Sequence, residues 1–117
     1  MRNKYAVAFF GLLSLMLGWA AGAGAETTQC TAIANLPATL NVPGIYCLTS
    51  DFATNIATGD AIYIESSDVV LDLNGHVIDN SAAGPDTFAA GVSLYQRMNV
   101  TIKNGTLRGF YYGIHLG

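Results

Sequence analysis

The chain has 117 residues, five Lys or Arg against eight Asp or Glu, and a formal net charge of −3. Its length suits one small domain, and a hydrophobic fraction of 51% excludes a disordered chain. The acidic balance argues against a nucleic-acid partner, because binding a polyanion needs a basic surface that releases counterions.

The first stretch reads as an export signal of the bacterial type. Arg2 and Lys4 form a positive start, and an uncharged run follows from Tyr5 to Ala25. Phe9, Phe10, Leu12, Leu13, Leu15, Met16, Leu17 and Trp19 give that run its apolar weight. Small residues at Ala23 and Ala25 fit a cleavage site before Glu26. The alternative is a retained anchor, since about 20 apolar residues can span a bilayer. Cleavage after Ala25 leaves 92 residues, with three basic and eight acidic side chains. No other run of membrane length occurs, so the processed chain is expected off the membrane, secreted or periplasmic.

Residues 26–60 form a lead-in, or cap. Its two cysteines, Cys30 and Cys47, are expected to pair in an oxidising compartment, the alternative being two buried thiols. Pro37 and Pro43 interrupt the segment, and Pro43-Gly44 marks a turn. Ile45 to Leu48 read as a short strand, and residues 51–60 read as a loop.

Residues 61–117 alternate with period two. Ile62 and Ile64 flank Tyr63, Val69, Leu71 and Leu73 flank Val70 and Asp72, and Val92 and Leu94 flank Ser93. Val100 and Ile102 flank Thr101, and Ile114 and Leu116 flank His115. That pattern predicts strands, and no helix is expected beyond the signal.

The strands recur in order. Gly91-Val92-Ser93-Leu94 returns 22 residues later as Gly113-Ile114-His115-Leu116, and appears 30 residues earlier as Ala61-Ile62-Tyr63-Ile64. The longer interval holds an inserted loop between Asp79 and Ala90. Val69-Val70-Leu71-Asp72 matches Val100-Thr101-Ile102-Lys103 at a spacing of 31, and an Asn-Gly step follows each. The fold class expected is all-β, a parallel solenoid of about two to three coils in which Ile62, Val92 and Ile114 stack in one column. An antiparallel sandwich is the competing arrangement, with the Asn-Gly steps as hairpin turns.

The run Val70-Leu71-Asp72-Leu73-Asn74-Gly75-His76-Val77-Ile78 resembles a coil of right-handed parallel β-helix proteins. So does Val100-Thr101-Ile102-Lys103-Asn104-Gly105-Thr106-Leu107 with Gly109-Phe110 and Gly113-Ile114. These belong to the pectate-lyase-like superfamily in the broad sense. The lead-in, with Pro43-Gly44-Ile45-Tyr46-Cys47-Leu48, is similar to the opening of many secreted members. The resemblance implies a right-handed winding, and a role for Asn74 and Asn104 in a ladder of stacked turn amides. Asn74-Gly75 and Asn104-Gly105 are accordingly expected to be structural turns.

Asp72 with Lys103, and Asp79 with Arg108, are expected to form exposed ion pairs between adjacent coils. Tyr63, Ser93 and His115 fall in one outward column, with Glu65 and Tyr95 in the next. Tyr63, Glu65, Tyr95 and His115 are the glycan-binding candidates, because aromatic rings stack on sugar CH faces while a carboxylate accepts hydroxyl protons. The rival reading is that the tyrosines merely cover the sheet. Phe110, Tyr111 and Tyr112 either cap the core or form a platform.

Two functions follow. The first is a non-catalytic module that binds polysaccharide or serves as structure. The second is the N-terminal part of a polysaccharide lyase or glycoside hydrolase acting on acidic polysaccharide, which the resemblance alone implies. No catalytic residue is selected by the sequence. No cofactor or metal ligand set is evident, and Ca²⁺ enters only with the lyase reading. The strand around Ile114 and Leu116 leaves a parallel edge, so further C-terminal coils, or self-association at that edge, are expected.

Overall fold

The computed structural model describes residues 29–117, so the export signal read at 1–25 lies outside the described residues. Alternating β-branched and polar residues form short strands: β1 (Thr31–Ala32), β2 (Ala38–Leu40), β3 (Gly44–Cys47), β4 (Phe52–Ala53), β5 (Asp60–Ile64), β6 (Val69–Asp72), β7 (Val77–Asp79), β8 (Ala90–Leu94), β9 (Val100–Lys103), β10 (Thr106–Arg108) and β11 (Tyr112–Leu116). A single 3₁₀ turn at Ser81–Ala83 interrupts the described strands. The chain is thus all-β over these residues.

Every strand pairing is parallel. One sheet has the order β1-β3-β6-β9, a second β4-β7-β10, and a third β2-β5-β8-β11. From β3 onward the chain visits the first, second and third sheets in rotation, three times over. Parallel pairing throughout does not accommodate an antiparallel sandwich. The two Asn-Gly steps are not hairpins, since they join β6 to β7 and β9 to β10, strands of different sheets.

The register matches the sequence repeats. Val92 lies between Ile62 and Ile114 in the third sheet. In the first sheet Val69 pairs with Val100 and Leu71 with Ile102. Leu48, Ile62, Ile64, Val69, Leu71, Ile78 and Val92 are fully buried and form the core that the three sheets share. The rotation begins earlier than the alternation suggests. Ile45 pairs with Val70, and Phe52 with Ile78, so the supposed loop at 51–60 contributes β4 and the start of β5. Phe52-Ala53 is too short to display a period of two, which is why its strand is invisible in the sequence.

Turn chemistry also repeats from one passage to the next. Asn74 and Asn104 both have positive φ (51° and 59°), as does Gly75 (77°), which suits residues that tolerate the left-handed region. Asn74 donates from Nδ2 to the Leu48 carbonyl in the passage below (3.0 Å). Asn104 donates likewise to Asp72 Oδ1 (3.3 Å). A Cβ on Gly105 would collide with the Leu73 side chain and lie 2.9 Å from the His76 carbonyl. A second matched pair occurs just before the first sheet. Asp68 and Asn99 have φ of 60° and 58°, and Asn99 Nδ2 donates to Asp68 Oδ1 (2.8 Å).

The expected exposed pair between Asp72 and Lys103 is different in kind. Asp72 is 1% exposed, and Lys103 Nζ stands 4.0 Å from it. Its Oδ1 accepts the Asn74 backbone N–H (2.9 Å) as well as the Asn104 amide. Asp72 is therefore a buried turn acceptor with a cation above it. Arg108 meets Asp79 as expected, at 3.3 Å between half-exposed side chains.

The best-buried polar group lies at the corner after the second sheet. Asn80 is fully buried, and its Oδ1 accepts from Thr54 Oγ1 and the Ile56 N–H, both at 2.7 Å. Its Nδ2 donates to the carbonyls of Ile56 (3.0 Å) and Gly109 (3.3 Å). One amide thereby ties together three successive passages of the chain. Thr87 adds a bond from Oγ1 to the Ile56 carbonyl (2.7 Å). Cys30 and Cys47 form a disulfide, spanning 17 positions at the lead-in end.

Two outcomes test this framework. Replacing Asn80 by Ala strands several buried partners and is expected to cost at least about 2 kcal/mol by urea unfolding. The exposed Thr49→Ala change serves as the neutral comparison. Reducing the disulfide releases a short loop and is expected to cost about 3 kcal/mol in the same assay.

Candidate functional site

The outer face of the third sheet carries the candidate residues. In each strand the aliphatic positions turn inward, so the intervening position faces out. The register aligns Thr39, Tyr63, Ser93 and His115 in one column. Tyr63 is half-buried and His115 exposed, while Ser93 between them is only 6% exposed. A small side chain thus lies flanked by two rings along the column.

Glu65 is exposed just beyond β5, where its backbone N–H donates to the Leu40 carbonyl (2.8 Å). Tyr95 follows β8 and is 56% exposed, its ring lying over Gly117, where a Cβ would collide with it. The structure therefore brings Tyr63 and His115 into one column and sets Glu65 and Tyr95 at the far end of the same sheet. The four do not converge on a point. They form a surface rather than a pocket.

The aromatic run at the start of β11 divides by environment. Phe110 packs against the core, next to Gly91, whose missing Cβ would lie 3.2 Å from the ring. Tyr111 and Tyr112 are exposed. Tyr112 stacks on His115 with centroids 4.9 Å apart and planes at 22°. Phe88 joins the group from the turn before β8. Sequence reasoning missed Phe88 because it lies in the inserted stretch between Asp79 and Ala90, where no repeat partner flags it. The adjacent aromatic triplet was the one available signal for Tyr112.

A concavity lies over the second sheet, lined by Asp51, Phe52, Val77, Asp79 and Arg108. Its carboxylates are engaged with neighbouring protein groups, Asp51 with those of the adjacent passage and Asp79 with those of its own. Asp51 accepts from the Val77 N–H (3.0 Å) and lies 3.1 Å from His76 Nδ1. Those hydrogen bonds, with desolvation opposing, hold the Asp51 carboxyl below its ordinary value. Asp79 is lowered mainly by hydrogen bonds from Ser81, including the backbone N–H at 2.9 Å, with Arg108 adding to the effect. Among the described residues, no group of three or more His, Cys, Asp or Glu is arranged to hold a metal ion.

Comparison with protein-family models, with curated proteins and with solved structures returned no match.

The two lowered carboxyls carry a pH consequence. Each contributes stability that is present above the ordinary aspartate value of 3.8 and is lost as pH falls through the depressed folded value. The double variant Asp51→Asn, Asp79→Asn is expected to be less stable at neutral pH and to lose less on acidification below 3.8. Urea midpoints measured across that range give the comparison.

Proposed function

We propose that the chain is an exported right-handed parallel β-helix module, akin to the pectate-lyase-like superfamily, whose third sheet binds glycan without turning it over. Three rotations through the same three parallel sheets, with columns such as Ile62–Val92–Ile114, support the coil reading. The right hand follows from the general preference of parallel crossovers. The Cys30–Cys47 bond supports export into an oxidising compartment.

The observation that carries the binding reading is the outward column Tyr63–Ser93–His115 on a regular, solvent-facing sheet. Rings separated by a small residue on a flat face suit an extended sugar chain, which presents apolar CH faces and peripheral hydroxyls. Glu65 and Tyr95 extend that face. The non-catalytic part rests on what the well-placed carboxylates do. Asp51, Asp72 and Asp79 each accept hydrogen bonds that hold a turn or strand start in place. An acid or base committed in this way serves the fold rather than a substrate.

The strands β9, β10 and β11 end their sheets among the described residues, and Ile114 and Leu116 are 46% and 69% exposed there. A second copy of the chain, pairing through this edge, is a partner that fits it.

A glycan array probed with the full chain tests the reading. Binding without product is the expected result, and Tyr63→Ala is expected to weaken it about tenfold. Release of unsaturated uronate from polygalacturonate with added Ca²⁺, followed by absorbance, overturns the non-catalytic assignment.

A further inference from the structure

Four rings run in unbroken contact across the turns that feed β8 and β11. Phe88 and Tyr111 have centroids 5.4 Å apart, Tyr111 and Tyr112 4.7 Å apart, and Tyr112 and His115 4.9 Å apart. The rings touch one another, yet Phe88, Tyr111 and Tyr112 remain 68%, 57% and 47% exposed. Leaving so much aromatic surface in water forgoes burial that the core supplies to Phe110 next to them.

We propose that this strip is the carbohydrate platform of the protein, and that its ligand is a neutral glycan chain rather than a uronate polymer. The proposal rests on the glycan-binding reading above, extends its contact surface from His115 to the neighbouring rings, and narrows its ligand class. The ring chemistry favours sugar over an aliphatic protein partner. Three of the four rings carry a hydroxyl or imidazole nitrogen at the edge, and a π face attracts the positive CH edges of a pyranose.

Charge selects the neutral class. Arg97, Lys103 and Arg108 are the described basic residues apart from histidine. Lys103 stands over Asp72 in the first sheet, and Arg108 pairs with Asp79 in the second. Arg97 follows β8, at the opposite end of the third sheet from Phe88, Tyr111 and Tyr112. What lies in line with the strip is an acid. Asp60 pairs with Ala90, which pairs with Tyr112, so its column runs directly under the platform. Two strand spacings separate them, about 9.6 Å, a distance over which the charge is felt at low salt. At low salt a polyuronate meets repulsion there with no lysine or arginine in line with it to offset the charge, whereas a neutral chain meets none.

Affinity electrophoresis of the full chain tests this, with soluble glucomannan or xyloglucan in one set of gels and polygalacturonate in another. The expected result is retardation by a neutral polymer, lost at least tenfold in Tyr111→Ala/Tyr112→Ala and kept in Met98→Ala, a change at an exposed turn away from the strip. Circular dichroism checks that the double variant is folded. If it is not, chemical-shift changes of Phe88, Tyr111, Tyr112 and His115 in the unaltered chain on adding the glycan decide the matter. Retardation by a neutral polymer that the folded double variant retains, or by polygalacturonate alone, overturns the strip or its ligand class and leaves glycan binding standing. No retardation by any polymer overturns both.

Discussion

In-register parallel pairing governs this molecule. When strands of successive passages lie about 4.8 Å apart and point the same way, each residue's environment is set by the residue one passage above and one below. Ile62 and Val92 are buried in a column of aliphatic groups that Ile114 continues. Any polar group drawn inside must find its partner in the next passage. Asn80 does so with four hydrogen bonds to the passages on either side, and Asp72 does so through the amide of Asn104, while also accepting from the Asn74 backbone beside it.

The same constraint divides labour among the charges. Asp51, Asp68, Asp72 and Asp79 all brace turns or strand starts, each by accepting from a residue at or near a corner. The cost of a sharp corner between parallel sheets is a set of orphan backbone N–H groups, and short carboxylate and amide side chains satisfy them locally. With those four acids committed to the first and second sheets, the third sheet carries rings, small residues and, at the two ends of β5, Asp60 and Glu65. Its outer face is the part of the surface where the fold makes least use of side-chain chemistry.

Much of the fold was legible in the sequence because stacking copies itself along the chain. The matches of Gly91-Val92 to Gly113-Ile114, and of Val69–Asp72 to Val100–Lys103, are the observed pairings. What escaped was whatever stacking does not copy. β4 is two residues long, and β2 lies between prolines, so neither displays a period. The burial of Asp72 was hidden because alternation gives a side chain's direction, while burial depends on the turn folding back over it. Asn80 has no repeated neighbour, and Phe88 lies in the inserted stretch, so nothing periodic pointed to either. The candidate surface was half visible. Tyr63 and His115 were found through their columns, while the contact of Tyr112 with His115 joins residues three apart that strand alternation assigns to opposite faces.

Ile56 holds both ends of the stretch between the second and third sheets. Asn80 at its start and Thr87 at its end bond to the main chain of that one residue in the passage below. The residues between them, with exposed Ser81, Pro85 and Asp86, bulge away from the spine. Because the clamp lies outside the bulge, lengthening it adds only the slow entropy of a longer loop, about 0.6 kcal/mol per doubling. That corner is the natural graft point of the scaffold, where a foreign peptide or an evolved appendage can be displayed beside the aromatic strip without disturbing the parallel sheets beneath.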